Sequence, residues 1–417
     1  MKKTLFFVVL FCMTLYTSSL KAQNYNEEQV PTYTLPNPLL SSNGSLVQDT
    51  HKWEKEQRPY LMSLLSEHVY GYLPTQKVKA TYKLLQTNPS CLNGKATMQQ
   101  VLFTFTTEQK SHQALLLVYI PNERKGRVPV FVSYNFKGNH TVSMDEEILY
   151  SPYFKQFTDP SNSQLTRGQK ISRWSLPLII ESGYAVATMC YMDIYPDHKE
   201  GEAESVLTLF PSNTSKNRGQ ALAAWAWGSS RIADWLQKQP WVDTEKLAIM
   251  GHSRLGKAAL WAGAQDTRFK VVISNNSGCG GAALSRREFG ETVNKINSSF
   301  PHWFCPNFHP YGTNVNALPI DQHTLLSMMA PRYLYVASAE DDKWADPRGE
   351  YLSAYQASSV YTLYGLTGLQ TPAMPKVNQP VMNHIGYHIR TGKHDVTEYD
   401  WKCYIEFCNK AFGLMEN

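Results

Sequence analysis

Short runs of apolar and β-branched residues recur along the chain, and polar or turn-forming residues bound each run. Runs this short and continuous are typical of strands in a parallel sheet that is buried on both faces, because such strands have no solvent-facing side. The strands predicted in this way cover residues 115–120, 129–134, 184–189, 247–251, 271–274, 333–338 and 386–389.

Between several of these runs the pattern changes to a helical period. It is clearest in residues 220–238, where the apolar and small positions at helical spacing are Leu222, Trp225, Ala226, Ser229, Ile232, Ala233 and Leu236. Strands that alternate with helices predict an α/β fold, a three-layer αβα sandwich in which helices cover both faces of a mostly parallel sheet. Ligand chemistry in such a sheet lies at the carboxyl ends of the strands, and the polar segments 340–346 and 392–398 follow the last two predicted strands.

The first 22 residues are typical of an export signal. Lys2 and Lys3 precede an apolar stretch over residues 5–13, and we expect cleavage after Ala22. A membrane anchor is the alternative, but the stretch is shorter than the roughly 18 residues of a membrane span. We therefore expect a periplasmic or secreted protein with no membrane segment after cleavage. Residues 23–417 are predicted to form one catalytic domain, with a proline-rich arm near its start that wraps around it.

The composition describes a globular chain, since 42% of its 417 residues are hydrophobic and 18% are charged. Its net charge of +5 includes three lysines of the export signal, and without them the charge falls to about +2. This balance, with no basic run and no Cys/His finger spacing, excludes a nucleic-acid partner. The cysteines of the mature chain are either paired in an oxidising compartment or buried as free thiols. We expect a monomer, and since no metal-ligand spacing or nucleotide fingerprint occurs, no metal or cofactor is predicted.

A serine stands where a predicted strand changes into an Ala-rich helix, in the string LAIMGHSRLGKAALWAGA at residues 247–264. This pattern predicts a nucleophile elbow, a turn that exposes the serine at the sheet edge and requires small neighbours. Gly251 and Gly256 meet that need around Ser253, although Leu255 stands where the general G-x-S-x-G motif has its second glycine. From these residues alone, an ordinary helix N-cap is the alternative role for Ser253.

The longer string GHSRLGK, residues 251–257, resembles the G-x-S-R-x-G-K signature of the glucuronoyl esterases, which are α/β-hydrolases of carbohydrate esterase family 15. The similarity continues through SGCGGAALSRREFGE (277–291), FPHWF (300–304), ASAEDDKWADPRGEYL (337–352) and YHIRTGKHD (387–395). It covers most of the mature chain. The resemblance implies an α/β-hydrolase fold and a substrate in which glucuronoxylan is esterified at its uronic acid carboxyl, in nature to lignin alcohols.

Catalysis by a serine nucleophile requires a base that takes its proton and an acid that orients the base. The resemblance implies that Ser253 is the nucleophile and that His394, in the loop after the last predicted strand, is the base. His384 and His388 lie before or within that strand, and we expect them to be structural. The resemblance also directs the guanidinium of Arg254 at the oxyanion, where one donor is typically worth roughly 3 to 4 kcal/mol.

The acid departs from the fungal branch of the family, which has a glutamate at the position of Asn276. A neutral amide cannot stabilise an imidazolium as a carboxylate does. Bacterial relatives have an acid in a later loop that matches residues 340–342. Asp342 is therefore the predicted acid, and Glu340 is the alternative.

Substrate contacts are implied at several further positions. The resemblance matches Lys257, Glu291 and Trp344 to groups that bind the hydroxyls and the ring face of the uronic acid. Trp303 and Phe304 are further candidates for the cleft, with core packing as the alternative. Residues 136–139 follow a predicted strand where hydrolases have further oxyanion donors, and a plain loop is the alternative there.

Two other functions remain open at this stage. An acetylxylan esterase would keep the triad and act on a smaller acyl group. A carbohydrate-binding pseudo-enzyme would follow if the loss of the glutamate at Asn276 had abolished catalysis.

Overall fold

The computed structural model describes residues 23–154 and 166–414, so the predicted export signal lies outside the described residues. The strands are β1 (Lys79–Cys91), β2 (Ala96–Thr106), β3 (Ser111–Pro121), β4 (Val128–Asn135), β5 (Ala185–Cys190), β6 (Val242–His252), β7 (Phe269–Asn275), β8 (Tyr333–Ala339), β9 (Val381–Met382) and β10 (Ile385–Arg390). The α-helices are α1 (Thr50–Lys52), α2 (Arg58–Leu65), α3 (Leu176–Glu181), α4 (Ala221–Leu236), α5 (Arg254–Gln265), α6 (Val293–Ser299), α7 (Gln322–Ser327), α8 (Pro347–Leu363) and α9 (Glu398–Ala411).

Within the described residues, these strands form one sheet in the order β1-β2-β3-β5-β4-β6-β7-β8-β10-β9. Neighbouring strands from β5 to β10 in that order are parallel, whereas β1, β2, β3 and β9 are antiparallel to their neighbours at the two edges. Because β4 pairs with β5 on one side and with β6 on the other, the sheet grows in opposite directions from β4. The carboxyl ends of strands at such a switch point form a crevice where ligands bind.

Helices cover both faces of this sheet. Residues of α4, α5, α7 and α8 contribute to one apolar core, and residues of α3 and α9 contribute to a second core on the opposite face. Successive residues of a central strand alternate between the cores, since Ile249 belongs to the first and Ala248 and Met250 to the second. The predicted three-layer α/β fold is confirmed, and the two cores explain why the central strands are continuous apolar runs.

The predicted strands correspond to β3, β4, β5, β6, β7, β8 and β10, and the predicted helix corresponds to α4. The prediction missed the hairpin of β1 and β2. Along β2 buried residues mostly alternate with half-buried ones, and polar residues such as Thr97 and Gln99 interrupt the apolar positions. The available signal was therefore this alternation of period two, not a continuous apolar run.

The proline-rich segment 30–40 lies against α7 and the start of α2. The His323 ring nitrogen Nε2 is 2.7 Å from the carbonyl oxygen of Pro36, and Gln57 donates to the carbonyl of Pro38 at 2.9 Å. These long-range contacts attach the beginning of the described chain to the helical layer that also contains α5.

Two further expectations concern the cysteines and the membrane. The cysteines of the described residues, Cys91, Cys190, Cys279, Cys305, Cys403 and Cys408, are all buried and unpaired. Of the two possibilities, the structure therefore has free thiols. In the part of the chain that the structure describes, no helix combines the length and the apolar character that crossing a bilayer requires.

Candidate active site

Loops that follow β6, β7, β8 and β10 meet at one cleft at the carboxyl edge of the sheet, with a volume of about 310 Å³. The cleft is lined by Ser253, Arg254, Lys257, Asn276, Ser277, Gly278, Glu291, Phe300, Trp303, Asp342, Trp344, Ala345 and His394. All the residues predicted to take part in catalysis, and Lys257, Glu291, Trp303 and Trp344 for binding, therefore lie at this cleft. Phe304 does not, because it is fully buried and packs on Phe308.

Ser253 stands in a tight turn between β6 and α5. Its φ of 57° and ψ of −130° lie in a region that residues with a Cβ rarely adopt, at a cost on the order of 1–3 kcal/mol. The neighbouring glycines permit the turn, since a Cβ on Gly251 would lie 1.9 Å from the carbonyl oxygen of Leu255 and one on Gly256 would lie 2.9 Å from that of Gly251. This is the geometry of a nucleophile elbow, and the serine at its tip is half-buried.

His394 and Asp342 contact each other although they lie in different loops. The imidazole Nδ1 is 2.5 Å from Asp342 Oδ2. The carboxylate is a hydrogen-bond acceptor, so Nδ1 carries the proton and Nε2 is the basic nitrogen. Asn276 donates from Nδ2 to the same Oδ2 at 2.8 Å. Asn276, the predicted counterpart of the fungal glutamate, therefore binds the predicted acid.

The rival residues lie elsewhere. Glu340 is exposed, and its backbone N–H donates to the carbonyl of Arg390. His388 is fully buried, and its Nε2 is 2.9 Å from Asp400. His384 stacks on a tyrosine of β8 with a centroid distance of 4.6 Å. The structure thus gives His384 and His388 packing roles, and brings Asp342 rather than Glu340 against His394.

Arg254, the first residue of α5, lines the cleft with its guanidinium held between aromatic rings and a carboxylate. Its Cζ is 4.6 Å from the ring centroid of Trp303 and 5.2 Å from that of Phe300. Its Nη1 donates to buried Asp197, while its Nε has no hydrogen-bond partner among the described residues. The guanidinium is therefore anchored to Asp197 at Nη1 at the edge of the cleft, and its unpartnered Nε is enclosed by the protein.

Lys257 lies one turn after the elbow serine and is almost fully buried. Its Nζ donates to the carbonyls of Ser277 at 2.5 Å and Cys279 at 2.6 Å, and lies 3.5 Å from Glu291 Oε2. The backbone N–H of Glu291 donates to the carbonyl of Trp344 at 2.9 Å. Lys257 thus supports the loop after β7 as well as lining the cleft, whereas Glu291 and Trp344 bring a carboxylate and an indole to it.

His252, the residue before the elbow serine, packs against the ring of His394. The two rings lie 4.5 Å apart, and His252 Nδ1 donates to Asn275 Oδ1 at 2.6 Å. Burial lowers the pKa of His252 well below its usual value, and protonation of the neighbouring His394 would lower it further, so His252 is neutral. Phe136 packs on its edge at 6.0 Å, which places the loop 136–139 beside the elbow.

Arg390, at the end of β10, fixes the loop that contains His394 by hydrogen bonds to its backbone. Its Nη2 donates to the carbonyls of Lys393 at 3.0 Å and Asp395 at 2.6 Å, which flank His394 on both sides. Its Nε donates to Asp400 at 2.8 Å, and Asp400 belongs to the capping box of α9. The position of the imidazole is therefore coupled to two regular elements.

A second buried acidic side chain, Glu350 of α8, lies beneath the cleft. It accepts hydrogen bonds from Ser338 Oγ at 2.6 Å and from the backbone N–H of Gly278 at 2.9 Å. Burial raises the pKa of Glu350 to about 8, and these two hydrogen bonds offset that effect only in part.

Sequence reasoning missed Asp197, Arg390 and the donor role of Asn276. Asp197 lies in a stretch rich in charged residues, which is typical of a solvated loop, and its contact with Arg254 spans 57 positions. The sequence did offer a signal for Arg390, since this arginine directly follows a predicted strand and stands four positions before the candidate base. No group of three or more His, Cys, Asp or Glu side chains among the described residues is arranged to hold a metal ion.

A parallel sheet with helices on both faces, and a strained serine between a strand and a helix at its carboxyl edge, define the class: the protein is a hydrolase of the α/β-hydrolase fold. A family profile described as "Glucuronyl esterase, fungi" matches residues 170–365.

Similar proteins specify this class further. The chain is 43% identical to "Carbohydrate esterase MZ0003" from an unknown prokaryotic organism over 93% of this chain and 91% of the relative. It is 27% identical to "4-O-methyl-glucuronoyl methylesterase 1" of Wolfiporia cocos over 81% of this chain and 74% of the relative. The solved "Glucuronoyl Esterase from Solibacter usitatus" is 42% identical, with a TM-score of 0.87 over 93% of this chain and 100% of the other. The chain therefore belongs to the glucuronoyl esterases, carbohydrate esterase family 15.

Proposed function

We propose that residues 23–417 act as one catalytic domain that hydrolyses glucuronoyl esters of glucuronoxylan, including 4-O-methyl-glucuronoyl esters to lignin alcohols. The observation that carries this proposal is the contact between His394 and Asp342 in the cleft that Ser253 also lines. The name of the Wolfiporia cocos relative supports the acyl group.

In the first half of the reaction, Ser253 Oγ attacks the carbonyl carbon of the ester while His394 Nε2 takes the serine proton. Asp342 holds the Nδ1 proton and stabilises the imidazolium that forms. The tetrahedral intermediate then collapses, the bond to the alcohol oxygen breaks, and His394 returns the proton to the leaving alcohol. The glucuronoyl group remains esterified to Ser253.

The negative charge of the intermediate requires fixed donors. Arg254 supplies its guanidinium and the backbone N–H at the start of α5, which has no intrahelical partner. These groups are positioned before the substrate arrives, so little reorganisation is needed as the charge develops.

In the second half, water attacks the acyl carbon while His394 takes one of its protons. The intermediate collapses with release of the uronic acid, and the proton returns to Ser253. The products are the free carboxylic acid and the alcohol, and the enzyme is regenerated without a cofactor.

The polar and aromatic groups of the cleft support a sugar acid as the acyl group. Glu291 accepts hydrogen bonds from hydroxyls, and Trp344 offers a face on which a pyranose ring packs. An acetyl group would use neither. The contact of Asp342 with His394 also argues against a binding protein without catalysis, because it supplies the carboxylate that Asn276 lacks.

The decisive experiment compares hydrolysis of benzyl glucuronate and of acetylated xylan by the wild type and Ser253→Ala. We expect turnover of the glucuronate ester only, and its loss in Ser253→Ala with an unchanged melting temperature. Preference for the acetyl ester would favour an acetylxylan esterase. Activity of Ser253→Ala within a few fold of wild type would refute the mechanism.

Export completes the proposal, since polymeric xylan does not enter the cell. We propose a periplasmic or secreted monomer that is released by cleavage after Ala22. Mass spectrometry of the N-terminus and light scattering of the purified mature protein test these two points.

A further inference from the structure

One buried carboxylate behind the cleft gathers hydrogen bonds from three separate segments of the chain. Asp197, in the loop after β5, has a side chain that is only 2% exposed. Its Oδ1 accepts from His302 Nε2 at 2.8 Å and from Trp303 Nε1 at 2.7 Å. Its Oδ2 accepts from the Tyr191 hydroxyl at 2.8 Å and from Arg254 Nη1.

Asp197 holds Arg254 in two ways, by a direct hydrogen bond and through the ring of Trp303. The guanidinium is anchored by Asp197 at one end and stacked on Trp303, whose own indole N–H is fixed by the same carboxylate. The rings of Phe300 and Trp303 in turn stack on each other, with centroids 3.9 Å apart and planes 4° from parallel. A long side chain with several rotatable bonds is thereby confined to one position at the edge of the cleft.

The surroundings of Asp197 favour its ionised form. Burial alone would raise its pKa, but the hydrogen bond from His302 and the positive charge of Arg254 outweigh burial and hold the pKa of Asp197 well below its usual range. The negative charge also weakens the field of Arg254 at the cleft. Orientation decides the net effect, because a free arginine would be solvated and an oxyanion requires donors at a fixed position.

We propose that Asp197 is the positioning residue of the oxyanion site: it anchors Arg254, and through Trp303 it couples that anchor to the wall of the substrate cleft. The inference rests on the proposed function, in which Arg254 stabilises the oxyanion. Asp197 itself lies behind Arg254 and exchanges no proton with the substrate.

The substitution Asp197→Asn isolates this role. An asparagine oxygen in place of Oδ1 keeps the hydrogen bonds from His302 and Trp303, but its amide nitrogen then faces the N–H of Arg254 and repels it. We therefore expect kcat for benzyl glucuronate to fall on the order of 10- to 100-fold, less than the roughly 10²- to 10³-fold loss that follows removal of an oxyanion donor, because Arg254 is displaced but still present. KM should change less than about threefold, since the indole of Trp303 stays in place.

A double-mutant cycle separates positioning from general damage. If Asp197 acts through Arg254, adding Asp197→Asn to Arg254→Ala should lower kcat by less than about twofold further, because the residue being positioned is already absent. Equal losses in both backgrounds, or an unchanged kcat in Asp197→Asn, would overturn the inference. An unchanged kcat in Arg254→Ala would instead refute the oxyanion role in the proposed function, and the inference with it.

One further variant keeps the inference testable if Asp197→Asn does not fold, and another is a matched control. Tyr191→Phe removes one neutral donor from Oδ2 without changing the charge, and we expect kcat to fall about two- to fivefold only when Arg254 is present. A fall that persists without Arg254 would contradict the inference even if Asp197→Asn does not fold. The matched control is Asp321→Asn, a buried carboxylate paired with Arg286 away from the cleft, which should lower the melting temperature and leave kcat unchanged.

Discussion

At the scale of single residues, one oxygen atom distinguishes the two candidate acids, since Asp342 Oδ2 accepts from both His394 and Asn276. We expect Asp342→Asn to lower kcat by about 10⁴-fold, the benchmark for loss of a triad acid, because the amide cannot stabilise the imidazolium. Steady-state kinetics on benzyl glucuronate measure this. Glu340→Gln is the control and should leave kcat unchanged. If Glu340→Gln lowered kcat severely and Asp342→Asn did not, Glu340 would be the acid.

The same geometry allows a test of whether the proposed acid can be moved to position 276. Asn276 Nδ2 lies 2.8 Å from the oxygen that binds His394, so a longer carboxylate at position 276 can reach the imidazole. Adding Asn276→Glu to Asp342→Asn should restore part of kcat. The matched control adds Asn276→Gln, which has the same length without the charge. Equal activity of the two double variants would mean that position 276 cannot supply the acid.

Substrate binding has its own test at Glu291, because Lys257 also supports the loop after β7 and its removal would disturb more than the cleft. We expect Glu291→Gln to raise KM for a glucuronate ester severalfold and to leave hydrolysis of a simple aryl acetate almost unchanged. The ratio of kcat/KM on the two substrates measures the effect. Equal losses on both would mean that Glu291 supports the fold of the site rather than the sugar.

At the scale of elements, the parts that the residue pattern predicted are those with a local signature, whereas His394 and Asp342 were predicted from the family resemblance. The central strands are continuous apolar runs because both of their faces are buried, and the elbow needs small residues at fixed spacing around Ser253. The β1–β2 hairpin lacked the first signal, since it lies at the sheet edge and alternates along β2. The contact of Arg254 with Asp197 has no local signature at all, because tertiary folding alone brings together a loop residue and the first residue of α5, 57 positions apart.

The loop after β10 shows how the end of a strand can position the proposed base, because Arg390 donates to the carbonyls on both sides of His394. Arg390→Lys keeps the positive charge beside Asp400. A single ammonium group cannot replace the separate arginine nitrogens that reach Asp400 and the two carbonyls. Displacing a reacting group by about 1 Å can cost about 10²-fold, so we expect kcat to fall 10- to 100-fold.

The control for this variant is Arg286→Lys, which removes a similar clamp on the carbonyls of Leu318 and Ile320 away from the cleft. It should lower the melting temperature without lowering kcat. If Arg390→Lys also changed only the melting temperature, the loop would keep its conformation without the clamp.

At the scale of the whole molecule, Glu350 makes stability depend on pH. Its pKa is about 8 in the folded protein and 4.5 when unperturbed. Between these values the folded state holds a proton that the unfolded state has lost, so stability falls as pH rises through this window. Glu350→Gln mimics the protonated side chain, and its melting temperature relative to wild type should increase from pH 5 to pH 8.5. If the melting temperatures of the variant and the wild type differed by the same amount at every pH in this range, Glu350 would be ionised in the folded protein.

The unpaired cysteines have a consequence for how the molecule can be observed. Each thiol is buried, and burial raises the pKa of Cys408 well above its usual value, so neither oxidants nor alkylating reagents reach a reactive thiolate in the closed protein. Each such side chain becomes reactive only when the strand, helix or loop that contains it opens. The alkylation of each thiol, followed against time by peptide mass, would therefore report opening of the native protein region by region, without any substitution in the chain.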